Sequence, residues 1–446
     1  MDILGLIPSF GGLLYTIGAF VVALSVIVAI HEYGHYIVGR WCGIKAEVFS
    51  VGFGPVLWSR RDRHGTQWQV AALPFGGYVK FLGDASAVSD RADEETMAHL
   101  DAKARRQTMH GAPLWARAAT VAAGPVFNFI LSFFVFAAIL MLRGVAADPL
   151  TIDTIRPLPA AVQELQPGDQ LLAVDGRAVP PMEELSGFLE SLPLRETLDY
   201  SVRRDGAETL ARAPYPYPPI ALGITPGSAA MDIDMRPGDV IRAIDGEPIF
   251  AFSQLRDRVA ESDGRVLLLE VWRDGETLEF ALAPRRMDLP LSDGGFETRW
   301  LIGITGGWLF EPQTTAPTLI EAARYGVDQT IYIIQSSLSG LYHMAAGLIS
   351  TCNLQGPIGI AETSGAAASQ GWLSFIWFIA VLSTAVGLLN LFPIPVLDGG
   401  HLVFHAWEAL TGRPPSDGAL RVMMGAGLAL MGALMIFALS NDLLCP

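Results

Sequence analysis

The chain has 446 residues, 51% of them hydrophobic, and a formal net charge of −15. This hydrophobic content is high for a soluble protein and favours a membrane protein with more than one domain. The acidic balance argues against nucleic acid as a partner, because surfaces that bind nucleic acid are basic.

Four uncharged apolar runs are long enough to cross a bilayer as helices, which takes about 20 residues. The first lacks a basic leader and an obvious cleavage site, so we interpret it as a retained span and not as a signal peptide. A further stretch, residues 318–350, is interrupted by polar residues; we interpret it as an interfacial or packed helix, with a fifth crossing as the alternative. The four predicted spans are Phe10–Ile30, Ala118–Leu142, Gly371–Leu397 and Val422–Ser440.

The distribution of charge predicts the orientation of these spans. Residues 39–117 hold 11 Lys and Arg, and none precedes Arg40, so this loop is expected in the cytoplasm and the N-terminus outside it. Residues 144–370 hold 16 basic and 31 acidic residues, a difference equal to the whole net charge. We therefore expect an acidic domain outside the cytoplasm.

The first apolar run ends in HEYGH, residues 31–35. His31 and His35 are four residues apart on a helix, so both imidazoles can reach one cation, and Glu32 is placed as a base for a metal-bound water. Ionisable groups at bilayer depth are costly and usually functional. The alternative is that the three side chains pair with polar residues of neighbouring helices.

A catalytic zinc site needs a third protein ligand and one open position. Asp398, in NLFPIPVLDGG, is the only acidic residue associated with the later spans. If a single crossing separates the first and third spans, both run inward, and Asp398 reaches the depth of His31 and His35; a fifth crossing would put it on the opposite face. A site built from Asp398, His401 and His405 is the alternative, since these three share one helical face.

Residues 46–83 follow the catalytic helix and alternate like strands with glycine turns. An edge strand there could hydrogen-bond an extended substrate, since a helix unwound in lipid needs partners for its backbone groups. The alternative is a hairpin that only supports the first helix.

The outer region contains an internal duplication. PGDQLLAVDGRAV at residues 167–179 recurs as PGDVIRAIDGEPI at 237–249, and RRDG at 203–206 recurs as WRDG at 272–275. Short apolar strands alternate with Gly and Asp turns, which predicts two small β-rich domains.

The three cysteines give no disulfide framework. Cys352 and Cys445 could meet outside the membrane, but we favour two free thiols.

Several of these motifs together resemble those of the site-2 proteases, peptidase family M50. They are HEYGH, GPVFNF at 124–129, GPIGI at 356–360 and NLFPIPVLDGG at 390–400. The repeats resemble tandem circularly permuted PDZ domains, which the branch acting in the sigma-E envelope stress response carries between its second and third spans. The resemblance implies a polytopic α-helical protein of the bacterial inner membrane. It would have four transmembrane helices, a membrane-associated β-region on the cytoplasmic side and two PDZ-like domains outside the cytoplasm.

The resemblance also implies an intramembrane zinc endopeptidase, active near the cytoplasmic side. Its substrates would be transmembrane segments of an anti-sigma factor already trimmed by another protease, or remnant signal peptides. The enzyme would bind them while they are embedded in membrane lipid. By position, His31, His35 and Asp398 would bind Zn²⁺ and Glu32 would be the general base. Asn390 would steady the substrate or oxyanion, with a helix-packing hydrogen bond as its alternative. The PDZ-like domains would either capture an extended peptide or act as steric filters.

Two other classes remain open, a metal transporter and a non-catalytic scaffold. A transporter would need a polar path through several spans, and a scaffold would not need both ligands and base.

The predicted boundaries follow from these motifs. They are 1–39 for the first span, 40–113 for the cytoplasmic loop with β-hairpins, 114–143 for the second span, 144–223 and 224–306 for the PDZ-like domains, 307–370 for a periplasmic linker with an interfacial helix, 371–400 for the third span, 401–420 for a cytoplasmic loop and 421–441 for the fourth span.

Overall fold

The computed structural model describes residues 10–84, 94–160, 162–181, 184–225, 227–291 and 295–445. Residues 1–9, before the first predicted span, and 85–93, in the predicted cytoplasmic loop, lie outside the described residues. The chain divides into two compact units, one formed by Met1–Ile139 with Leu319–Pro446 and the other by Leu140–Thr318.

Helices dominate the first unit and strands the second. The helices are α1 (Phe10–Trp41), α2 (Glu94–His99), α3 (Ala102–Arg106), α4 (Leu114–Arg143), α5 (Leu185–Ser191), α6 (Ala229–Asp232), α7 (Phe252–Ala260), α8 (Leu319–Ala345), α9 (Pro357–Ser369), α10 (Trp372–Asn390), α11 (Asp398–Thr411) and α12 (Asp417–Leu444). The strands in the first half of the chain are β1 (Ala46–Arg61), β2 (Gln67–Phe81), β3 (Val145–Ala146), β4 (Ile152–Ile155), β5 (Gln170–Val174), β6 (Arg177–Ala178), β7 (Thr197–Arg204) and β8 (Ala207–Pro214). They continue as β9 (Gly223–Ile224), β10 (Val240–Ile244), β11 (Glu247–Pro248), β12 (Leu267–Arg273), β13 (Glu276–Leu282), β14 (Arg285–Pro290), β15 (Phe296–Leu301), β16 (Ile304–Thr305), β17 (Phe310–Pro312) and β18 (Thr314–Thr315).

Four helices in the described part of the chain, α1, α4, α10 and α12, are long and apolar enough to cross a membrane. This agrees with the four predicted spans. The third helix ends at Asn390, seven residues before the predicted end at Leu397, because Pro393 and Pro395 interrupt the hydrogen-bond ladder before α11 begins at Asp398. Helix α8 is not among the four candidates; its Gly326 lies close to the Phe133 carbonyl of α4.

Glycines allow the apolar helices to approach one another closely. A Cβ on Gly34 of α1 would lie 2.4 Å from the Ala123 carbonyl oxygen of α4, and one on Gly387 of α10 would lie 3.0 Å from the Pro125 carbonyl oxygen. Small residues at such crossings permit backbone contact where lipid gives no hydrophobic drive for association. Helix α4 therefore packs against both α1 and α10.

Strands β1 and β2 confirm the strands predicted after the first span and fold into a twisted ribbon. Val48 pairs with both Lys80 and Gln67, and Val51 with both Gly77 and Val70. The first part of β1 therefore lies between two parts of β2. Within the described residues, Gly77–Phe81 is paired on one side only, so it is an edge.

The second unit confirms the predicted duplication. Two four-stranded sheets share one strand order, β6-β5-β7-β8 and β11-β10-β12-β13. In each, the PGD aspartate is buried and accepts two hydrogen bonds of 2.7 Å from an arginine 34 or 35 residues later, as in the pairs Asp169–Arg204 and Asp239–Arg273. These pairs explain why PGD and RDG recur together.

One predicted boundary in this unit is wrong. Leu309 and Phe310 belong to the core of the first repeat, and β17 pairs with β4. The start of the predicted linker, 307–370, therefore completes the first repeat, and the second repeat is nested within it. Strands of two or three residues give too little pattern to reveal this from sequence.

The preference for free thiols is also wrong, because Cys352 and Cys445 form a disulfide with their Cα atoms 5.7 Å apart. The C-terminal turn of α12 lies against the loop before α9. Asn441 Nδ2 donates to the Thr351 carbonyl at 2.8 Å, and the Asp442 carboxylate accepts from the backbone N–H of Gly356 at 2.7 Å. This contact brings together cysteines 93 residues apart, which spacing alone could not indicate.

Candidate metal centre

Three side chains from two helices meet in the first unit. On α1, His31 Nε2 lies 3.2 Å from His35 Nε2, as the four-residue helical spacing predicts. Asp398 Oδ2, at the first residue of α11, lies 3.1 Å from His31 Nε2 and 3.5 Å from His35 Nε2. Within the described ranges this is the only group of three His, Cys, Asp or Glu residues placed to hold a metal ion.

The donor set fits zinc. Tetrahedral zinc with bonds of about 2.1 Å places its ligand atoms about 3.4 Å apart, close to the three separations here. Asp398 Oδ2 is buried and makes no hydrogen bond of suitable geometry with the part of the chain that the structure describes, although two imidazole nitrogens lie beside it. Two nitrogens and one oxygen that converge in this way suit a shared cation, and their number leaves one position open.

Helix α4 orients the two imidazoles. His35 Nδ1 lies 2.8 Å from the Thr120 carbonyl oxygen, which can only accept, so His35 carries its hydrogen on Nδ1 and turns Nε2 towards the site. His31 Nδ1 lies 3.2 Å from Asn128 Nδ2. A Cβ on Gly124 would lie 2.4 Å from His35 Nε2, so only glycine leaves room for this ring.

Sequence reasoning missed these supporting roles of Thr120, Gly124 and Asn128. The available signal was GPVFNF, which was used only as a family motif. Its glycine makes room for the histidine rings, and its asparagine contacts one of them.

The predicted base, Glu32, and the predicted substrate-positioning residue, Asn390, line the same cavity of about 1200 Å³ as the three candidate ligands. The β-ribbon edge lies beside Glu32, because a Cβ on Gly77 would be 3.0 Å from Glu32 Cγ. Asn390 Nδ2 donates to the Val386 carbonyl of its own helix at 3.0 Å, so this bond lies within α10 and is not the helix-packing bond considered as its alternative. A carboxamide has two N–H donors, so this bond leaves one available.

His401 and His405 line the cavity but do not join the group of three. Near them, Arg117 of α4 makes a bidentate ion pair with Glu408 of α11, at 2.6 and 3.0 Å. The structure therefore gives the alternative site of Asp398, His401 and His405 no support among the residues it describes.

Comparison with known proteins agrees with this geometry. The sequence model of peptidase family M50 matches residues 19–434. "Putative zinc metalloprotease Atu1380" of Agrobacterium fabrum is 35% identical over 429 residues, which cover 95% of this chain and 94% of that protein. "Putative zinc metalloprotease R01501" of Rhizobium meliloti is also 35% identical and covers 96% of each chain. "Regulator of sigma-E protease RseP" of Salmonella typhimurium is 32% identical over 460 residues, or 96% of this chain and 98% of that one. The chain therefore belongs to peptidase family M50, the site-2 proteases, and is a zinc metalloprotease.

Proposed function

We propose that the protein is an endopeptidase that cuts transmembrane segments of single-span proteins, with His31, His35 and Asp398 as its zinc ligands. The observation that carries this proposal is the triangle of donor atoms. It joins α1, a candidate membrane span, to the start of α11, which directly follows another candidate span.

Glu32 is the general base in this proposal. Zinc held by these three residues would act as a Lewis acid towards the peptide carbonyl and towards an attacking water molecule. Glu32 accepts the proton of that water and passes it to the leaving nitrogen, a role worth about 10²–10⁴-fold in rate. Asn390 uses its second N–H to hold the substrate carbonyl or its developing oxyanion.

The β-ribbon edge at Gly77–Phe81 is our proposed docking place for the substrate backbone. Hydrolysis inside a transmembrane helix requires local unwinding, and each unpaired backbone group in lipid costs several kcal/mol. This edge has partners on one side only among the described residues, and Tyr78 and Val79 line the cavity. An extended substrate added there as a strand would pass beside Glu32.

We further propose that the protein lies in the bacterial inner membrane, with its N-terminus and the duplicated unit outside the cytoplasm and its active site near the cytoplasmic side. The basic residues of 39–117 support this orientation. The Cys352–Cys445 disulfide supports it independently, because disulfides persist in oxidising compartments. It would put the end of α12 and the loop before α9 on the outer side.

The similarity to RseP supports an anti-sigma factor, trimmed beforehand by another protease, as the natural substrate, and a role in the envelope stress response. In the same proposal the two repeats are PDZ-like domains that capture peptide or exclude untrimmed proteins.

The test is cleavage of a purified single-span reporter carrying an anti-sigma-type transmembrane segment. We expect Glu32→Gln to lower the rate by about 10²–10⁴-fold while the variant keeps its zinc. Glu362→Gln, which removes an exposed carboxylate on α9, is the matched control and should cleave normally. Normal turnover by Glu32→Gln, or turnover that survives a zinc chelator, would contradict the proposal.

A further inference from the structure

Asn128 is a fully buried amide at the candidate metal centre, and the proposed catalytic mechanism gives it no chemical role. It lies on α4, with its Nδ2 at 3.2 Å from His31 Nδ1. Its Oδ1 is buried and has no hydrogen-bond partner among the described residues. A buried carbonyl oxygen without a donor is costly, so its position calls for an explanation.

Binding of zinc by His31 would explain the position of this unpaired oxygen. A histidine that binds a metal through Nε2 carries its remaining hydrogen on Nδ1 and needs an acceptor there. Asn128 presents Nδ2, a donor, to His31 Nδ1, which suits the other tautomer, with the hydrogen on Nε2. The two ends of a carboxamide have nearly the same shape, so a half-turn replaces Nδ2 by the unpartnered Oδ1.

Contacts with α10 fix the backbone of Asn128, so its carboxamide can rotate about the side-chain bond while the backbone stays in place. Its carbonyl oxygen lies 3.0 Å from Ser383 Oγ of α10, whose hydroxyl donates to it. A Cβ on Gly387 would lie 3.1 Å from Asn128 Cβ, so α10 packs directly on this residue. Helix α10 then leads through residues 391–397 to Asp398.

The two histidines therefore differ in their partners. His35 faces the Thr120 carbonyl, which fixes its hydrogen on Nδ1 with or without metal. His31 faces an amide that can either donate or accept.

We propose that Asn128 is a positioning residue that selects the metal-binding tautomer of His31: its carboxamide donates to Nδ1 without zinc and turns to accept from Nδ1–H with zinc. The inference rests on the zinc site proposed above.

The experiment measures Zn²⁺ affinity of the purified full chain in detergent by competition with a chelator. Asn128→Leu keeps the size of the side chain without hydrogen bonding, and we expect about 10–100-fold weaker binding. Asn128→Asp offers acceptors only, so it should bind zinc at least as tightly as the natural protein. Ser364→Ala is the matched control: it removes a buried hydroxyl on α9 whose hydrogen bond goes to the Ile360 carbonyl of its own helix, and affinity should not change.

A purely structural role would give a different pattern, in which Asn128→Asp, with a buried charge, binds zinc no better than Asn128→Leu. That result, or unchanged affinity in Asn128→Leu, would overturn the inference. If Asn128→Leu does not fold, Asn128→Asp decides alone, because a tenfold weaker affinity in that variant contradicts the tautomer role. Failure of the zinc site itself is distinguishable, since the natural protein would then bind no zinc.

Discussion

The first unit contains two histidine pairs with the same four-residue spacing on a helix, and only one of them forms a candidate metal centre with other described residues. His31 and His35 on α1 converge with Asp398, whereas His401 and His405 on α11 line the same cavity without joining a third ligand. Spacing brings two imidazoles to one helical face in both cases. A centre also needs a donor from a second element and space for the rings.

The surroundings of the two pairs explain the difference. The first pair faces a glycine, a carbonyl and an amide of α4, groups that make room for the rings or orient them. The second lies near the guanidinium of Arg117, held by Glu408. Helix α11 is outside the four candidate spans, and there burial, together with the positive charge of Arg117, lowers the pKa of His405 to about 4. The positive charge of Arg117, which disfavours a proton on His405, also disfavours a metal cation there.

Removal of a candidate ligand should produce the largest contrast between the pairs. We expect His31→Ala to lose bound zinc and all cleavage, because two remaining protein ligands cannot hold a catalytic zinc ion. His405→Ala should keep its zinc. Elemental analysis of the purified variants measures both, and equal loss of zinc in the two would show that the pairs are not functionally distinct.

The Arg117–Glu408 pair should matter for stability and not for metal. Both side chains are less than one-fifth exposed, so Arg117→Met leaves a largely buried carboxylate unpaired, which costs about 3 kcal/mol. The double variant Arg117→Met with Glu408→Met should recover most of this loss. Thermal unfolding in detergent measures the change, and zinc content should stay constant. A double variant no more stable than the single one would contradict the ion-pair explanation.

Gly124 should be a smaller determinant that acts on the first pair alone. A methyl group there would lie 2.4 Å from His35 Nε2 and 2.8 Å from His31 Cε1, so Gly124→Ala must displace the rings. We expect about tenfold weaker zinc binding, at the lower end of the range for changes around a metal ligand. Gly425→Ala, on α12 with no atom within 4 Å of the added methyl group, is the control for helix propensity. Equal affinity in both variants would show that the rings have room to move.

The sequence predicts the parts of this site that follow from short-range geometry. His31, Glu32 and His35 follow from helical spacing, and Asp398 follows from counting crossings. Asn128 and Thr120 could not be assigned, because their contacts depend on which residues of α4 face α1 and on how closely glycine lets the helices approach. The disulfide and the nesting of the repeats could not be predicted for a similar reason. Each joins segments more than 90 residues apart whose local sequence carries no pairing signal.

The smallest expected effect concerns His405 and pH. Its folded pKa of about 4 lies below the ordinary 6.5, so the unfolded chain takes up a proton first as the pH falls. His405 therefore contributes stability above about pH 6.5, and this contribution is lost as the pH falls towards 4. The groups that act on it besides burial are Arg117, His401 and His110, which lower its pKa, and Glu408, which raises it.

Thermal unfolding of the zinc-saturated protein between pH 7 and pH 4, compared with His405→Asn, isolates this contribution. We expect the difference between the two proteins to shrink as the pH falls, since only the natural chain loses the His405 contribution. Arg117→Met should move the protonation midpoint of His405 upwards, because the charge of Arg117 is the largest single cause of the shift after burial. A constant difference across this range would mean that His405 protonates equally easily in the folded and unfolded chains. In that case Arg117 would not repel cations from the second pair, and only the lack of a third ligand among the residues that the structure describes would separate this pair from the first.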